Sequence, residues 1–180
     1  VEALGNVSII ANTALANTGR LDITTPKRVE LFINGGEAAF GTLNITSFED
    51  DIFLRTSNLN VAGKLMLNAK HDIYATGEDM KAGNVNFTAN AGDVNVDAPV
   101  TTKWMVLAAG RDVQINGAAN TQSNIHITAG RDTVSTGALD VAEGAMTITA
   151  GRDATLAKLS TAHPDDYLSD VNVTAKNTVT

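Results

Sequence analysis

The sequence predicts an all-β chain: a right-handed parallel β-helix of about nine coils with a period near 20 residues, forming a single domain over residues 1–180. Three observations carry this expectation. The tetrapeptide Ala-Gly-Arg-Asp is written three times, at Ala109–Asp112, Ala129–Asp132 and Ala150–Asp153. Looser copies of its aspartate fall at Asp93, Asp72 and Asp51, so successive spacings are 21, 21, 19, 20 and 21 residues. Between these corners apolar and polar residues alternate with period two, as a strand with one buried face requires.

Taken from the N-terminus, the stretches "NVSIIANTALANTGRLDI" and "RVELFINGGEAA" alternate between Asn/Gly corners and form the first units. "FEDDIFL" and "NAKHDIYA" carry Asp51 and Asp72 into the next. "NVNFTA" (Asn84–Ala89) is a strand, followed by the corner "NAGD" and a second short strand, Val94-Asn95-Val96. "VLAAGRDVQING" repeats that plan, and "NIHITA" and "AMTITA" repeat it again, with further corners at Gly117, Gly137 and Gly144. "VNVTA" (Val171–Ala175) begins another coil. A unit of this length is too short for a propeller blade or a helical pair. Val85, Phe87, Val106, Ile125 and Ile127 are expected to point inward, as are Met146, Ile148, Val171 and Val173. Each coil stacks about 4.8 Å on the next, which gives a rod of roughly 43 Å.

Composition agrees. Hydrophobic residues make up 43% of the chain but aromatics only 4%, so Val, Ile, Leu and Ala must fill narrow, repetitive layers. Twenty acidic and 13 basic residues leave a net charge of -7 with no basic cluster, which argues against nucleic acid as a partner. Cysteine is absent, so disulfides, thiolate zinc sites and a cysteine nucleophile are excluded. No apolar run approaches the roughly 18 residues of a membrane helix. The chain opens without a secretion signal, and the final coil lacks a polar cap, so it is expected to be a segment of a larger protein.

At the corners, Ala109, Ala129 and Ala150 should end a strand pointing inward. Gly110, Gly130 and Gly151 should then make a tight bend, with positive φ. Asp112, Asp132 and Asp153 stack along the rod, and the interleaved Arg111, Arg131 and Arg152 offset their repulsion. The motif therefore reads as structural.

"VLAAGRDVQING", with "ITAGRDTVSTGAL" and "ITAGRDATLAKL", resembles the repeat of the filamentous-haemagglutinin-type exoproteins of Gram-negative two-partner secretion, which include the filaments of contact-dependent growth inhibition effectors. The resemblance is clear over about residues 84–160 and diffuse before them. It implies a right-handed parallel β-helix, export through a dedicated outer-membrane transporter, and display at the bacterial cell surface. The implied partner is a receptor or glycan on a host or bacterial cell. The family's Asn-Pro-Asn secretion domain and its toxin with a Glu-Asn-Asn junction are not seen, so a shaft or receptor-facing segment is expected.

No cofactor, metal site or enzymatic activity is expected. The calcium-binding nonapeptide Gly-Gly-x-Gly-x-Asp is missing, and regularly recurring aspartates suit a ladder better than a unique active site. The acidic run Glu49, Asp50 and Asp51 reads as a solvated loop, and His71 and His126 as outward residues without further ligands. Three segments break the repeat: Thr24–Glu30, Ala75–Gly83 and Thr161–Asp170. The last is the preferred binding loop, with His163, Asp165, Asp166 and Tyr167. Trp104, the only tryptophan, could stack on a sugar ring or simply cover neighbouring coils. Sequons at Asn6, Asn44, Asn86 and Asn172 follow from strand alternation. The rival from another class is a carbohydrate-binding or carbohydrate-cleaving β-helix.

Overall fold

Alternation with period two, repeated every coil, leaves each segment one apolar face that only its neighbours can bury. In the computed structural model, which describes residues 1–161 and 170–180, the chain solves this by winding into a parallel β-solenoid of about eight turns with a period near 21 residues. The elements are β1 (Val7–Ala11), β2 (Leu15–Thr25), β3 (Val29–Ser47), β4 (Ile52–Ala69), β5 (Ile73–Ala89), β6 (Val94–Asp97) and β7 (Val100–Ala109). They continue with β8 (Val113–Ile115), β9 (Ala119–Ala129), β10 (Thr133–Val141), β11 (Met146–Ala150), β12 (Asp153–Thr161), β13 (Val171–Ala175) and β14 (Thr178–Val179). Every pairing between them is parallel, and no helix occurs among the described residues.

The registers define three faces. On the first, Val29, Ile52, Ile73, Val94, Val113 and Thr133 stack in turn. On the second, Ala38, Leu59, Met80, Val100, Ala119 and Leu139 do so. The third carries Ile45, Leu67, Phe87, Leu107, Ile127 and Ile148. All but Thr133 are apolar and all are buried, forming one core that runs along the rod. Each Leu, Ile or Phe so buried contributes about 1.5–3 kcal/mol, far more than any exposed ion pair, so the ladders hold the fold. The long strands bend through the corners at register breaks, for example between Phe40 and Leu43.

Three expectations need correction. Val106 does not point inward: Ala109 fixes the parity of its strand, so Met105 and Leu107 are the buried residues and Val106 lies on the outer surface. Ala75–Gly83 is no loop, because all of it lies within β5 and all but Glu78 and Gly83 pair with β4. Gly110, Gly130 and Gly151 do not have positive φ, which occurs at Gly36 (74°) and Gly144 (133°). The corner glycines are required by close stacking instead. A Cβ on Gly130 would lie 2.1 Å from the Gly110 carbonyl oxygen, and one on Gly151 would lie 2.0 Å from that of Gly130. Val171 and Val173 have the expected register with Met146 and Ile148, but among the described residues β13 pairs on one side only, and Val171 is exposed and Val173 only partly buried.

Candidate functional site

The repeated tetrapeptide builds a ladder at the corner between the third and first faces. Ala109, Ala129 and Ala150 end buried strands, and the chain then turns over glycine. The Asp112 backbone N–H donates to the Asp93 carboxylate at 3.0 Å, Asp132 donates to Asp112 at 3.0 Å, and Asp153 donates to Asp132 at 3.2 Å. The same bond joins Asp93 to Asp72 and Asp72 to Asp51, so all six marker aspartates form one run.

Arginine closes the last three of these five steps from the following coil. Arg111 Nε and Nη2 donate to the two oxygens of Asp93 at 3.0 and 2.8 Å, and Nη2 also reaches Asp72 at 3.1 Å. Arg131 forks onto Asp112, and Arg152 onto Asp132, in the same bidentate geometry. The Arg152 hydrogen bond holds the Asp132 carboxyl below its ordinary pKa against desolvation, with help from the Asp153 N–H. At Asp112 desolvation pushes upward, but the Arg131 fork and the Asp132 N–H outweigh it, and the pKa is again lowered. With their oxygens committed to N–H donors at every step, these carboxylates have a structural role. Among the described residues no three His, Cys, Asp or Glu side chains converge as a metal site would require.

The other predicted residues are dispersed. His163, Asp165, Asp166 and Tyr167 lie outside the described residues. Pro26 and Lys27 form a turn between β2 and β3, where Lys27 pairs with Glu49 at 2.7 Å. His71 is exposed at a corner, and His126 faces outward beside Thr128. Asn44, Asn86 and Asn172 share one outward column of the third face, as strand alternation requires.

Trp104 is not an isolated surface residue. It lies next to a register break in β7, between Thr102 and Trp104, and its side chain is 36% exposed. Registry places Lys64, Asn84, Trp104 and Asn124 in one column, with Met66, Asn86, Val106 and His126 in the column two residues further on. Lys64, Met66, Asn84, Asn86 and Trp104 together line a depression of about 180 Å³. Sequence reasoning found Trp104 but missed its companions. The signal was present, since Lys64, Asn84, Trp104 and Asn124 are spaced by 20 residues each.

Two further surface features lie elsewhere. On the first face Phe53 and Tyr74 stack with centroids 4.9 Å apart, and the Arg28 guanidinium sits 5.1 Å above Phe53. Partial burial, then the neighbouring Asp72, raises the Tyr74 pKa. A wider groove of about 540 Å³ follows the second face from Asn60 to Ala142, floored by small residues and without an aromatic wall. Comparison with protein-family models, curated proteins and solved structures finds no match to this chain.

Proposed function

We propose that this chain is a non-enzymatic segment of a secreted bacterial surface filament of the filamentous-haemagglutinin type, a rod that holds recognition surfaces away from the cell for adhesion. The observation that carries this reading is the Arg–Asp ladder: the tetrapeptide that marks the resemblance is also the clamp that joins successive coils. A mechanical shaft needs a recurring joint, and the aspartate-to-backbone bond of this corner recurs at all five steps from Asp51 to Asp153, with arginine reinforcing the last three. Interstrand hydrogen bonds here run along the rod axis, so tension is shared by all the bonds across each coil interface. Export through an outer-membrane transporter suits such a chain, because it contains no disulfide and each coil pairs only with its neighbours.

The test is saturable binding of the purified protein to mammalian and bacterial cells side by side, together with a glycan array and a polysaccharide-cleavage assay. Adhesion to mammalian cells or glycans supports the adhesin reading. Selective binding to bacteria replaces it with the filament of a contact-dependent inhibition effector. Release of reducing ends from a polysaccharide overturns the non-enzymatic assignment.

A further inference from the structure

We propose that the Trp104 depression on the third face is a saccharide subsite that takes one pyranose ring, with a preference for a ring bearing a carboxylate. The inference deepens the adhesive reading by naming a ligand class and a place on the rod. It rests on four features of the surface.

The first is the exposed apolar pair. Trp104 and Met66 are each 36% exposed, in outward strand positions that elsewhere on this face hold mainly Asn and Thr. They lie two coils and two strand residues apart, about 12 Å on the diagonal at the sheet spacing and strand rise, with Asn84 and Asn86 on the coil between them. A partly exposed indole suits a partner with an apolar side and a polar rim, which the C–H face and hydroxyl edge of a pyranose supply. The second feature is size. A depression of about 180 Å³ lies below the roughly 300 Å³ at which drug-sized pockets begin, so it has room for one ring. Its five lining residues are also far fewer than the roughly 20–30 residues a side of a stable protein interface.

The third feature is the stock of hydrogen-bonding groups left free. Among the described residues, the Asn84 amide, the Asn86 amide nitrogen and the Trp104 indole N–H have no protein partner. Asn86 only accepts a long bond from Thr88, at 3.4 Å. Side-chain amides donate and accept at once, as vicinal hydroxyls do. The fourth is charge. Lys64 forms no ion pair among the described residues, and no carboxylate lines the depression. A free ammonium in a chain of net charge -7 favours an anionic substituent on the ring.

Trp104 is the only tryptophan, so its fluorescence reports on this site alone. The intact protein is titrated with the methyl glycosides of glucose, galactose, mannose, N-acetylglucosamine and glucuronic acid, following both Trp fluorescence and amide NMR shifts. The expected result is saturable binding of at least one glycoside with a Kd of about 1 mM, as suits a single ring. Methyl glucuronide should bind several-fold tighter than methyl glucoside, and Lys64→Met should abolish that difference. Trp104→Ala should abolish the NMR shifts while the circular-dichroism melt stays that of the parent, and Trp104→Phe should retain part of the binding. No saturable response to any glycoside, or shifts that persist in Trp104→Ala, would overturn the site. Equal affinity for glucuronide and glucoside would overturn the role of Lys64. Saccharide binding without cell adhesion keeps the subsite and removes the adhesive function, whereas adhesion without any glycoside response keeps the adhesive function and removes the subsite.

Discussion

Replacing Gly130 by alanine adds a single methyl group, yet it should be among the most damaging changes available on the surface of this rod. The new Cβ would sit 2.1 Å from the Gly110 carbonyl oxygen and 2.9 Å from its carbon. That is roughly 1.2 Å inside the shortest ordinary C···O approach of about 3.3 Å. Relief requires adjacent coils to part locally by about that distance. The Gly130 N–H bond to the Ala109 carbonyl, at 3.0 Å, and the Arg131 N–H bond to the Arg111 carbonyl, at 2.8 Å, would then exceed hydrogen-bonding range. Two lost bonds at about 1 kcal/mol each, with about 1–3 kcal/mol of overpacking strain, give a destabilisation of about 3–5 kcal/mol. Urea unfolding followed by far-ultraviolet circular dichroism measures it, with Gly5→Ala as the control because nothing lies within 4 Å of a Cβ there. A third variant separates the causes. Asparagine tolerates positive φ, so a bend needing that conformation would accept Gly130→Asn better than Gly130→Ala, whereas close stacking makes asparagine no better. A Gly130→Ala protein within about 0.5 kcal/mol of the parent would refute the stacking argument.

Thr133→Val should raise stability by about 1 kcal/mol, because the buried Thr133 hydroxyl has no hydrogen-bond partner and stacks on Val113; an unchanged or lower urea midpoint would count against this. Met105→Ala should cost about 2–5 kcal/mol while Val106→Thr stays within about 0.5 kcal/mol, and the opposite order would reverse the inward phase of β7. Acid should loosen the ladder. The pKa values of Asp112 and Asp132 are lowered by folding, so their contribution is complete above the unfolded value of about 3.9 and disappears as pH falls through the lower folded values. Melting temperature should therefore hold from pH 7 to about pH 5 and drop below about pH 4, and equal melting at pH 2.5 and 7 would exclude this linkage.

The sequence by itself determined the architecture. The inward ladders repeat a pattern of period two within a period near 20, and both periods are visible without coordinates because each coil must bury the same face against its neighbour. All six marker aspartates lie on one corner for the same reason. Strand phase was legible where alternation is clean, as at Ile125 and Ile127. It was misread at Val106, where six successive apolar residues, Trp104 to Ala109, leave period two ambiguous and the burial of Met105, Leu107 and Ala109 decides it.

What only the tertiary structure decided concerns atoms in different coils. That Gly130 is required by the Gly110 carbonyl rather than by its own backbone angle is a distance between residues 20 positions apart, which local propensity does not encode. The bidentate pairing of each arginine with the aspartate of the preceding coil is set by the stacking offset at the corner, and Arg152 adds only a longer contact of 3.5 Å to its own neighbour Asp153. The Trp104 site lies between these cases. Its column of Lys64, Asn84, Trp104 and Asn124 could be read from the period, but the depression that joins them to Met66 and Asn86 required the coils to be stacked and their side chains placed.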